Sequence, residues 1–174
     1  MKYCAFLRGV NVKGTAMKMA DVCNVFEKSG LRNIMPVLAT GNIIFTSDKN
    51  REELKEILEK AMFEYFNYDA FLFIKNENEV SQILNNNPFP KSDDSHIYVF
   101  ITSENMAGLL LEEFSKAEKS DNEKAEIVDQ TFFWQVEKGH TLASEFGKIL
   151  GKKAFKDKIT SRNINTFEKI VNKF

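Results

Sequence analysis

The residues best suited to chemistry fall in three short polar stretches. Arg8, Asn11, Lys13 and Thr15 share the segment 8–15 with Gly9 and Gly14, and Thr40-Gly41-Asn42 forms a second cluster. A guanidinium and an ammonium can hold phosphate or carboxylate, and amides and hydroxyls can orient it. Glycines let such a ligand approach the backbone closely. The third stretch, Thr160-Ser161-Arg162-Asn163-Ile164-Asn165-Thr166, places small polar residues ahead of a helical pattern, with Asn163 at the N-cap position. The candidate ligand-binding set is therefore Arg8, Asn11, Lys13, Thr40, Asn42, Arg162 and Asn163, and its natural occupant is a small anionic or phosphate-bearing molecule. The 8–15 segment is neither a P-loop nor a dinucleotide fingerprint. A plainer alternative is that the glycines serve turn geometry while Arg8 and Asn11 tie loops to backbone groups.

Several reaction classes find no support. The chain has no Gly-x-Ser-x-Gly elbow, and nothing couples a hydroxyl to a histidine or to a carboxylate pair, so catalytic residues stay unassigned. His96 begins a strand pattern and His140 stands in a turn, with no partner at metal-ligand spacing, so no structural metal and no cofactor is expected. Cys4 and Cys23 read as buried, reduced core residues. The formal net charge of −1 removes the overall field that draws proteins onto nucleic acid. It hides an asymmetry: residues 138–174 carry nine basic and three acidic residues, and 104–129 carry three basic and eight acidic. Nucleic-acid or nucleotide binding through the basic C-terminal third is thus an alternative, although oppositely charged solvated surfaces are the commoner meaning of such runs.

The elements that must position these residues begin with the apolar run 3–7, which reads as a buried strand, and Met19, Val22, Cys23 and Phe26 give a helix stopped by Gly30. Residues 33–39 and 43–46 read as strands joined by a tight turn at 40–42 in which Gly41 and Asn42 take positive φ. Asn50 and Glu53 form a capping box for a helix burying Leu54, Ile57, Leu58, Ala61, Met62 and Tyr65, and 70–74 is a fourth strand. A connecting helix over 77–84 leads to Pro88-Phe89-Pro90. The pattern then repeats: a strand at 96–101, a helix started by Ser103 or Glu104 with Met106, Leu109, Leu110 and Phe114 inward, and strands at 124–129 and 132–137. A helix carrying Leu142, Phe146, Ile149 and Leu150 ends at Gly151, before a short strand at 158–160 and a last helix over 164–174.

The fold class predicted is α+β: two tandem ferredoxin-like (β-α-β-β-α-β) halves with antiparallel sheets, at 1–87 and 88–174, plus connecting and C-terminal helices, packed as one compact unit. In this topology the first and second strands run the same way, so the 8–15 loop and the 40–42 turn emerge side by side. Ile43-Ile44-Phe45, 71–74 and Phe132-Phe133-Trp134 are apolar on both faces, so the second face of each sheet must also be covered. The two halves could do this jointly; a homodimer, and with it an interaction module, is the alternative. The run before Arg8 is too short for a signal sequence and no stretch could span a bilayer, so the expectation is a cytoplasmic protein without membrane contact, monomer or homodimer.

The same residues resemble the bacterial domain-of-unknown-function family 1697. Its opening Leu-Arg-Gly-x-Asn-Val-Gly-Gly is similar to Leu7-Arg8-Gly9-Val10-Asn11-Val12-Lys13-Gly14, with Lys13 in place of a glycine, and Met19 follows. Ser-Gly-Asn-Val-x-Phe is similar to Thr40-Gly41-Asn42-Ile43-Ile44-Phe45, and Asn-Pro-Phe to Asn87-Pro88-Phe89. Thr-x-Arg-Asn-x-Asn-Thr matches 160–166 at every fixed position, whereas the family's Gly-x-Gly-Arg-Ser-Lys is replaced here by Glu137-Lys138-Gly139-His140-Thr141-Leu142. The resemblance implies a duplicated ferredoxin-like fold and no established activity.

Overall fold

The computed structural model describes residues 1–12, 15–67, 69, 71–155 and 157–174, leaving aside the side chains of 11, 12, 15, 16 and 153. The chain divides into two compact units, 1–81 with 168–174, and 82–167.

The first unit runs β1 (Lys2–Leu7), β2 (Asn11–Val12), β3 (Thr15–Ala16), α1 (Met19–Lys28), β4 (Arg32–Pro36), β5 (Asn42–Thr46), α2 (Arg51–Phe66) and β6 (Leu72–Asn76), followed by α3 (Glu77–Asn85). Its sheet has the order β4-β5-β1-β6, every pair antiparallel. Alternation along β1 sends Tyr3, Ala5 and Leu7 to the core shared with Val22, Phe26, Leu54, Leu58 and Met62 of the two helices. Each such large side chain, when fully buried, contributes about 1.5–3 kcal/mol. Cys4, Phe6 and Ile44, on the opposite face, are buried within the single chain as well.

Local chemistry explains the element ends. Asn50 Oδ1 accepts from the Glu53 N–H and Glu53 Oε2 accepts from the Asn50 N–H, closing the capping box of α2. Gly30, at φ +82°, takes the chain out of α1. Four expectations need correction here. In the segment read as a loop over 8–15, β2 and β3 pair as a small ribbon, and Val10 and Met17 on either side of it are buried in the core. Strand β4 stops at Pro36, and the turn at 37–41 takes its positive φ at Leu38 and Gly41, while Asn42 already belongs to β5. Tyr65 keeps the helical spacing of Leu58 and Met62 but stands in the last turn of α2, where it is 49% exposed. Cys23 is only half-buried.

The second unit repeats the plan with β7 (Ser95–Thr102), α4 (Met106–Lys116), β8 (Lys124–Val128), β9 (Thr131–Glu137), α5 (Glu145–Leu150) and β10 (Ile159–Asn163), which runs into α6 (Ile164–Val171). The order β10-β7-β9-β8 is that of the first sheet, strand for strand. Phe100, Leu110, Phe132, Trp134 and Phe146 form its core. The Trp134 indole N–H donates to Glu123 Oε1 at 3.0 Å, satisfying both buried polar groups. Asp129 and Gln130 both take positive φ, the geometry of a two-residue hairpin turn. Two apolar residues expected inward face out: Leu109 is partly exposed on α4, and Leu142 is 83% exposed because α5 begins only at Glu145. No helix among the described residues is long and apolar enough to cross a membrane.

Candidate functional site at the loop end of the first sheet

Because β1 is antiparallel to both β5 and β6, its C-terminal end meets the start of each neighbour. The Leu7 N–H donates to the Gly41 carbonyl at 2.7 Å, and the Arg8 N–H donates to the Phe71 carbonyl at 3.0 Å. The segment after β1 and the turn before β5 are therefore in contact, as the topology requires. Gly41 is the keystone of that contact. It sits at φ +75°, and a Cβ there would lie 2.6 Å from Val10 Cγ2 and 3.1 Å from Leu7 Cβ.

The candidate residues divide by role. Arg8 stands half-buried at this end, beside Gly9, whose φ of +76° turns the chain away from the sheet. Asn42 is fully buried and its amide donates to the Val37 carbonyl at 3.0 Å and to Thr40 Oγ1 at 2.9 Å. Its job is to close its own turn, so it positions the hairpin rather than meeting a ligand. Thr40 is exposed on that turn. Asn11 stands in β2, paired with Ala16. Lys13 lies outside the described residues.

Arg162 and Asn163 belong to the second unit. Arg162 donates to Thr160 Oγ1 and to the Ser161 carbonyl, both at 2.8 Å, contacts that organise its own strand. Asn163 Oδ1 accepts from the Asn165 N–H at 2.9 Å, which is the capping role expected of it. Its Nδ2 lies 3.3 Å from His96 Nδ1. Asn163 and His96 line an open cleft of about 450 Å³ with Lys91, Asp93, Ser95 and Lys138, and Arg162 is not among its lining residues. Sequence reasoning singled out Asn163 but placed His96 only at the start of a strand, with no partner at metal-ligand spacing. The two lie 67 positions apart, and only the pairing of β10 with β7 brings them together.

Elsewhere, burial pushes the Cys23 thiol up, a backbone hydrogen bond offsetting part of it, so this cysteine is a poor nucleophile at neutral pH. Among the described residues no group of His, Cys, Asp or Glu is arranged to hold a metal ion.

Two antiparallel four-stranded sheets with the same strand order, each with helices on its core face, define a duplicated ferredoxin-like α+β protein. Residues 1–133 match the family described as "Protein of unknown function (DUF1697)", so the chain belongs to that family. Its fold is also that of the conserved bacterial protein SP0830 from Streptococcus pneumoniae. That likeness has 23% sequence identity and a TM-score of 0.80, covering 98% of this chain and 97% of the other. No curated protein matches the chain.

Proposed function

We propose that this protein binds a small anionic molecule, one bearing phosphate or carboxylate, at the loop end of the first sheet, with Arg8 as the charge that holds it. The observation behind this reading is the lock between the two loops: the 2.7 Å bond from Leu7 to Gly41 and the absent side chain that admits Val10. A turn held this firmly presents backbone and side-chain donors already oriented, so little ordering entropy is lost when a ligand arrives. Thr40, exposed beside Arg8's strand end, offers a hydroxyl to the same ligand.

A thermal-shift screen of the full chain against nucleotides, sugar phosphates and organic acids tests the proposal. A ligand at a hundred times its Kd adds about 2.7 kcal/mol to native-state stability, which raises the melting temperature measurably. A selective anion hit that Arg8→Ala abolishes, while Arg32→Ala leaves it intact, supports the site. Arg32 is a suitable control because it is an exposed surface residue paired with Asp48. A hit that persists undiminished in Arg8→Ala sinks the proposal.

A further inference from the structure

We propose that the cleft at the β7 end of the second unit is a separate site for a small hydroxylated phosphate or carboxylate, held by Lys91 and Lys138 and oriented by His96. Its walls come from three strands because the sheet is antiparallel. The start of β7 lies beside the end of β9, where Ser95 pairs with Glu137, and beside the end of β10, where Asn163 pairs with Tyr98. The Lys138 N–H donates to the Asp94 carbonyl at 2.9 Å, pinning the 91–94 segment at the rim. The resulting space, about 450 Å³, is in the range of pockets that take small metabolites.

The hydrogen bonds at the back of the cleft determine which way its groups point. A backbone N–H can only donate, so the Asn165 N–H identifies the capping atom of Asn163 as Oδ1 and turns Nδ2 toward His96. An amide NH₂ can only donate, so His96 Nδ1 accepts, and the neutral ring carries its proton on Nε2. The imidazole thereby keeps one N–H donor besides this bond. Two ammonium groups supply attraction for an anion, and the positive end of α6 adds to it. Asp93 in the same wall repels a second anionic group and accepts from a hydroxyl, which favours a hydroxylated monoester over a polyanion.

The chain has 2 histidines, so His140→Gln leaves His96 as the sole imidazole. In that background, proton NMR of the His96 ring is followed while glycerol phosphate is added, with inorganic phosphate and malate as parallel probes. The expected result is a saturable shift for one or more probes, weakened about tenfold by Lys138→Ala and again by Lys91→Ala, as for loss of a charged hydrogen bond. Arg8→Ala should leave it unchanged, which separates this cleft from the loop-end site. Absence of a saturable shift with every probe overturns the proposal, and so does a response that Lys138→Ala leaves intact or that Arg8→Ala removes. Circular dichroism of each variant shows whether the substitutions leave the fold in place.

Discussion

Gly41→Ala is the sharpest perturbation of the loop-end site. Two penalties act on it. An alanine at φ +75° adopts the left-handed region at a cost of about 1–2 kcal/mol. Its Cβ would also stand 2.6 Å from Val10 Cγ2, inside van der Waals contact, and relieving such crowding costs about 1–3 kcal/mol. Gly30→Ala isolates the first penalty, because at φ +82° its Cβ would meet nothing within 4 Å. Val10→Ala removes the crowding methyl, so the cost of Gly41→Ala measured in that background should drop by about 1–3 kcal/mol toward the Gly30→Ala value. Urea unfolding followed by circular dichroism reads the unsubstituted chain, the three single variants and the Val10→Ala/Gly41→Ala double variant, with the shift in midpoint interpreted only where the slope is unchanged. Equal costs for Gly41→Ala and Gly30→Ala, or no coupling to Val10, would refute the claim that the missing side chain locks the two loops.

Two further outcomes follow from one buried and one half-buried carboxylate, Glu123 and Glu79. Glu123→Ala should cost about 1–3 kcal/mol by leaving the Trp134 indole N–H without its acceptor, and should alter the emission of the sole tryptophan; unchanged emission and stability would contradict the buried bond. At Glu79, burial alone raises the carboxyl, but the Asn76 N–H, Lys75 and Arg51 outweigh it and hold it below its ordinary value of 4.5. Its contribution to stability is therefore complete above about pH 4.5 and lost as pH falls through the lower folded value, so Glu79→Gln should flatten the acid limb of a stability-versus-pH curve. An acid limb of undiminished slope in that variant would show that Glu79 is not responsible.

The helices and strands that could be read from sequence were those whose signals are local. The capping box at Asn50 and Glu53, the exit at Gly30 and the unbroken apolar run of β1 each depend on residues within one or two turns of the chain, and each appears as expected. The errors arose where a stripe was extended past its structural end. Leu142 fits the helical spacing of Phe146, yet Ser144 caps the helix through the Gly147 N–H and leaves Leu142 outside it. Likewise Pro36 and the left-handed Leu38 end β4 before the residues whose composition favoured a strand.

By itself the sequence determined the class of fold, its internal duplication, and the polar stretches from which any site must be drawn, because periodicity and capping are written in neighbouring residues. Tertiary structure alone decided what those polar residues do. Burial and two donated hydrogen bonds made Asn42 a brace for its own turn, a role that its residue type shares with ligand binding until its surroundings are known. Strand pairing across 67 positions placed His96 against Asn163 and opened a cleft beside them. Such contacts depend on which strands become neighbours, and that is settled by the packing of the whole sheet.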